Sequence, residues 1–131
     1  MMNGNLLDTN VVIKAINKDS ETIKILEEMK KQKIFVSVIT IGELAYGASK
    51  SNMKKQNIRL FSDFIDSRRI LNADEKSALI YGEVKNGLKS KGVNIPENDM
   101  WIAAVAIAND LKLVTFDNHF KEIENLDALV L

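Results

Sequence analysis

Apolar and polar positions alternate along the chain in a way that predicts strands handing over to helices. Leu6-Leu7 leads into Asp8-Thr9-Asn10, after which Val11, Val12, Ala15 and Ile16 recur at helical spacing, so a short strand feeds a helix directly. Ser20 to Gln32 carries Ile23, Leu26 and Met29 in register and predicts a second helix. The run Ile34-Phe35-Val36-Ser37-Val38-Ile39 is bounded by polar residues and predicts a buried strand. Thr40 then opens a third helix, with Ile41, Leu44, Ala45 and Ala48 on one face.

Residues 53–67 predict a fourth helix through Ile58, Phe61, Phe64 and Ile65, and Ile70-Leu71 a brief strand. Asn72 and Glu75 form a cap-like start for a helix that runs to Lys91 and stops at Gly92. Asp99 to Leu111 is apolar nearly all round and belongs deep in the molecule. A strand over 112–116, a short helix over 118–124 and a last strand over 128–131 complete the pattern. Strands alternating with helices, with few hairpin signals, point to an α/β domain with a parallel sheet. With one proline, no linker and no internal repeat, residues 1–131 read as a single domain.

Composition narrows the chemistry. Lys plus Arg is 18 and Asp plus Glu is 18, so the formal net charge is zero. That balance excludes a nucleic-acid coat protein, which carries a large positive excess, but leaves room for nucleic-acid chemistry at a bound metal. The chain has no cysteine, which removes disulfides, thiolate zinc sites, iron–sulfur clusters and cysteine nucleophiles. The longest apolar run, Met100 to Ala108, is too short to span a bilayer, and Asp8 interrupts any signal-peptide core. The expectation is a soluble chain in the cytoplasm, with no membrane partner.

Acids fall where this chemistry would need them. Asp8 ends the first strand, Glu43 lies in the first turn after the second, Asp99 starts the buried helix, and Asp117 follows the strand Leu113–Thr115. In an open parallel sheet, ligands bind outside the carboxyl ends of the strands, so these four converge if the sheet is parallel. Each alone has a capping explanation, and Thr40-x-x-Glu43 matches a capping box. Together, unpartnered carboxylates repel and drive at least one pKa upward. A divalent cation removes that penalty, and oxygen-only ligation suits Mg²⁺ or Mn²⁺ rather than zinc.

Four segments carry a family resemblance: Leu6-Leu7-Asp8-Thr9-Asn10, Ile41-Gly42-Glu43-Leu44-Ala45-Tyr46-Gly47, Asn98-Asp99-Met100-Trp101-Ile102-Ala103-Ala104 and Leu113-Val114-Thr115-Phe116-Asp117. In this order and spacing they resemble a PIN domain, and the Glu-Leu-x-x-Gly pattern and the length resemble VapC-type toxin ribonucleases of toxin–antitoxin pairs. The resemblance covers the chain from residue 6 to the final strand. It implies a PIN-like α/β fold, a short central parallel sheet flanked by helices, and a Mg²⁺- or Mn²⁺-dependent endoribonuclease that hydrolyses RNA phosphodiesters. Asp8, Glu43, Asp99 and Asp117 match the family's acidic quartet as metal-holding catalytic residues, Asp8 and Asp99 foremost. Asn10 and Thr115 match polar positions that orient ligands or waters. The resemblance also implies a homodimer and a small VapB-like antitoxin that covers the acids, often with an Arg.

Other features take plainer readings. His119, the only histidine, reads as a turn residue outside the site. Lys50, Lys54, Lys55, Arg68 and Arg69 read as solvated surface with some share in RNA backbone contact. Trp101 reads as core, as do Tyr46, Phe61, Phe64 and Ile65, whose surplus apolar surface is a candidate dimer contact. The alternative function is a PIN-like RNA- or protein-binding module without activity, its acids serving as caps. An aspartyl-phosphate transferase ranks last, because the position two residues after Asp8 is Asn10 rather than a second acid.

Overall fold

In the computed structural model, which describes residues 4–131, five strands form one sheet in the order β3-β2-β1-β4-β5. The strands are β1 (Gly4–Leu7), β2 (Lys33–Ser37), β3 (Arg69–Leu71), β4 (Lys112–Thr115) and β5 (Ala128–Val130). Every pairing is parallel. The helices are α1 (Thr9–Ile16), α2 (Ser20–Glu28), α3 (Val38–Ser49), α4 (Lys54–Asp66), α5 (Glu75–Ser90) and α6 (Glu97–Ala108). A 3-10 turn at Asn118–Glu122 follows β4.

The strand period of two sorts the core onto both faces of the sheet. Leu6, Phe35 and Leu113 pack with Val84 and Leu88 of α5 and with Met100, Ile102 and Ala103 of α6. Their neighbours Leu7, Val36 and Val114 pack on the other side with Val11, Val12 and Ala15 of α1 and Leu26 of α2. Ile102 through Ala106 are all buried, as the all-round apolar pattern of this helix requires. Gly4 lets β1 approach β2: a Cβ there lies 2.7 Å from the Lys33 carbonyl oxygen. Gly92 takes φ +69° just after α5, the left-handed conformation that ends helices at low cost.

Local chemistry overrides the sequence reading at several boundaries. Strand β2 stops at Ser37, not Ile39, because Ser37 Oγ accepts the Thr40 N–H at 3.3 Å and caps α3. Thr40 is therefore the third residue of α3, and Thr40-x-x-Glu43 is not a capping box. Asp74, rather than Asn72, caps α5, its carboxylate accepting the Ser77 N–H at 3.0 Å and the Ser77 hydroxyl at 2.9 Å. Helix α6 begins at Glu97, just after Pro96 and two residues earlier than expected, and stops at Ala108 before Asp110 turns left-handed at φ 56°. Trp101 is half-buried rather than core, stacked on Tyr81 with ring centroids 4.1 Å apart. Tyr46 is 67% exposed, whereas Phe61, Phe64 and Ile65 of α4 pack partly buried against the sheet.

Candidate metal centre

Parallel topology puts the ends of β1, β2 and β4 at one edge of the sheet, and the acids gather there. Asp8 stays laddered to β4 through its N–H on the Val114 carbonyl at 2.9 Å. Its side chain caps α1, with Oδ1 accepting the Thr9 N–H at 2.8 Å. The other oxygen, Oδ2, accepts the Thr115 hydroxyl at 2.7 Å. Thr115 Oγ1 in turn accepts the Asp117 N–H at 3.0 Å, so one buried hydroxyl fixes both Asp8 and the chain leaving β4. Asn10 donates its amide to Asp117 Oδ2 at 3.2 Å from the first turn of α1.

Glu43 is held from across the sheet edge. Thr9 donates its hydroxyl to Glu43 Oε1 at 2.6 Å and lies 2.9 Å from the Thr40 hydroxyl. With the Thr9 proton committed to Glu43, Thr40 donates to Thr9, giving a relay of two hydroxyls that ends on the carboxylate. Asp99, in the first turn of α6, completes the group; its Oδ2 lies 3.0 Å from His119 Nε2, which is 4.0 Å from Asp117 Oδ2. Among the described residues, only Asp8 of the four acids accepts an N–H from the start of its helix.

The electrostatics follow from this crowding. Burial pushes the Asp8 carboxyl up to about 6, and the negative charges of Asp99 and Asp117 push the same way against the Thr115 and Thr9 hydrogen bonds. Burial also raises Asp99, with Glu43 and Asp117 adding to the effect and His119 opposing it. The residues present suit a divalent cation. Oxygen donors converge without enough positive charge, and Asn10 Oδ1 is buried with no hydrogen-bond partner. Asp99, Asp117 and His119 each offer a donor atom within 4.8 Å of the others; Asp8 and Glu43 stand outside that group, and charge links them to it, Glu43 raising Asp99 and Asp99 raising Asp8.

His119 thus stands against the acids rather than as a bystander. Its presence there depends on the 3-10 turn after β4, whose direction no local pattern in the sequence reveals. Thr9 and Thr40 also belong to the site; the capping-box spacing around Thr40 conceals that its hydroxyl serves Thr9. Lys50 lies over the Tyr46 ring, 4.9 Å from its centroid. Arg68 and Arg69 join Lys30, Lys31 and Lys33 around a groove where β2 and β3 begin, a strand's length from the acids.

A parallel sheet of this order, with acids collected at its carboxyl edge, is the arrangement of a PIN domain. The PIN domain model matches residues 6–126, and the chain belongs to that family. Its relatives narrow the class to VapC-type proteins. Ribonuclease VapC2 of Rickettsia felis is 38% identical over 128 residues, covering 96% of this chain and 94% of that protein. The tRNA(fMet)-specific endonuclease VapC of Salmonella typhimurium is 31% identical, covering 95% and 92%. The crystal structure of VapBC2 from Rickettsia felis, bound to a DNA fragment from their promoter, superposes with a TM-score of 0.92 at 37% identity over 99% of both chains.

Proposed function

We propose that this chain is the ribonuclease toxin of a VapBC-type toxin–antitoxin pair, hydrolysing RNA phosphodiesters at the Asp8–Glu43–Asp99–Asp117 cluster. The observation that carries the reading is the convergence of these carboxylates, three of them without helix-capping bonds. Mg²⁺ or Mn²⁺ is the cofactor such donors hold, and bound there it neutralises phosphate charge and acidifies a water. Asp8 and Asp99 are its principal holders. Thr115 fixes Asp8 through one oxygen, while the Thr9 N–H fixes the other, so the carboxylate cannot swing away when a ligand binds.

Glu43 has one oxygen committed to Thr9, and in this reading the other accepts the proton of an attacking water. Asp117, oriented by Asn10, adds a further negative charge. No protein nucleophile is needed. An open groove lined by Ile39, Gly42, Glu43, Tyr46 and Asn98 leads to Glu43 and offers RNA a path. The physiological partners in this reading are a VapB-like antitoxin and a second copy of the chain. Induced expression in a bacterium tests the proposal: wild type should arrest growth and Asp8→Asn should not. Continued growth with folded wild-type protein, or equal arrest by Asp8→Asn, contradicts it.

A further inference from the structure

The oxygen-only ligand set expected of this family leaves a nearby nitrogen without a role. His119 Nε2 is buried without a well-aligned hydrogen bond; Asp99 Oδ2 lies 3.0 Å away, within ion-pair reach of a protonated ring, and Asp117 Oδ2 lies 4.0 Å away. Two ligands bound at about 2.1 Å to one ion and at right angles to each other are about 3.0 Å apart, and opposed ligands about 4.2 Å. The 3.0 Å and 4.0 Å separations fit those two spacings. A ligand atom at right angles also lies off the lone-pair axis of its neighbour, which is why such a pair makes a poor hydrogen bond.

We infer that His119 donates Nε2 to the divalent ion beside Asp99 and Asp117, giving this centre a nitrogen ligand and a preference for Mn²⁺ over Mg²⁺. The inference rests on the proposal that the acids hold a metal. An imidazole adds little for hard Mg²⁺, which dehydrates reluctantly and favours oxygen. Transition ions accept nitrogen readily, and among them Mn²⁺ tolerates an oxygen-rich set. Phe120, buried beside the ring at 4.7 Å between centroids, anchors the turn that carries His119 and limits its retreat.

The chain has a single histidine and no cysteine, which makes the test unusually clean. Tag-free protein loaded with one equivalent of Mn²⁺ should show imidazole ¹⁴N modulation by electron spin echo spectroscopy. The modulation should change to the ¹⁵N pattern when the protein is grown on ¹⁵N-histidine, a control that alters no atom of the fold. His119→Gln should abolish it and raise the Mn²⁺ dissociation constant about tenfold or more, with that for Mg²⁺ changing less than about threefold. Bound Mn²⁺ without nitrogen modulation overturns the inference and leaves the acid-held metal standing. Wild-type protein that binds no Mn²⁺ overturns both.

Discussion

Replacing Asp8 with asparagine removes a charge from the most buried of the acids while keeping its shape, so its effect on stability must depend on pH. In metal-free protein the Asp8 carboxyl is raised from 3.8 to about 6, chiefly by burial. The folded state therefore binds this proton more tightly than the unfolded state. The stability it contributes is complete below about pH 4 and is lost as pH rises through 6, a change of roughly 3 kcal/mol for about two pKa units. Asparagine escapes that loss. Its carbonyl still accepts the Thr9 N–H, but its amide meets the Thr115 hydroxyl, so a hydrogen bond of roughly 1–1.5 kcal/mol disappears, the charge assistance being already contained in the raised pKa. In EDTA at pH 7.5, Asp8→Asn should be more stable than wild type by about 1–2 kcal/mol, or roughly 4–7 °C in Tm. At pH 4 the advantage should vanish or reverse. Thermal unfolding by circular dichroism from pH 3.5 to 8 measures this directly. Parallel Tm curves for the two proteins, with the variant lower at every pH, would refute the claim that burial and neighbouring acids strain Asp8.

Thr115→Val removes the hydroxyl that serves both Asp8 and the Asp117 N–H; it should destabilise by about 1–3 kcal/mol and greatly reduce RNA cleavage. Equal activity in that variant, measured on one RNA at saturating Mn²⁺, would remove Thr115 from the support of the site. An antitoxin arginine placed against Asp8 and Asp99 makes bidentate, charge-assisted bonds in the position of the cation. Antitoxin affinity, measured by calorimetry at constant ionic strength, should therefore weaken as Mg²⁺ or Mn²⁺ is added. Affinity that is indifferent to the ion would show that the antitoxin does not take its place.

Much of the architecture was legible because it rests on local signals. Leu6-Leu7 before Asp8, the apolar run from Ile34 and the all-apolar helix through Ile102 each state their environment in composition and period. The parallel order followed from strands alternating with helices, and it alone brings Asp8, Asp99 and Asp117 to one edge. The misreadings were local contests that a single chain of letters does not resolve. Val38 and Ile39 have the β-branched look of a strand, yet the Ser37 hydroxyl captures a backbone N–H and starts the helix first. Glu43 has the spacing of a capping box, but its partner is Thr9, 34 residues away in sequence. His119 gave no signal because a ring's direction after a 3-10 turn depends on packing against Phe120, not on its own neighbours.

The most direct measurement is RNA cleavage by purified wild type and Asp99→Asn, followed on a gel with Mg²⁺, with Mn²⁺ and with EDTA. The side chain of Asp99 touches no backbone of its helix start among the described residues, so asparagine there should preserve the fold, which circular dichroism verifies. The account predicts cleavage by wild type with either ion, none in EDTA, and at least about a hundredfold loss in folded Asp99→Asn, because the site would have lost a principal holder of its charge. Undiminished cleavage in EDTA, or by Asp99→Asn, would contradict it.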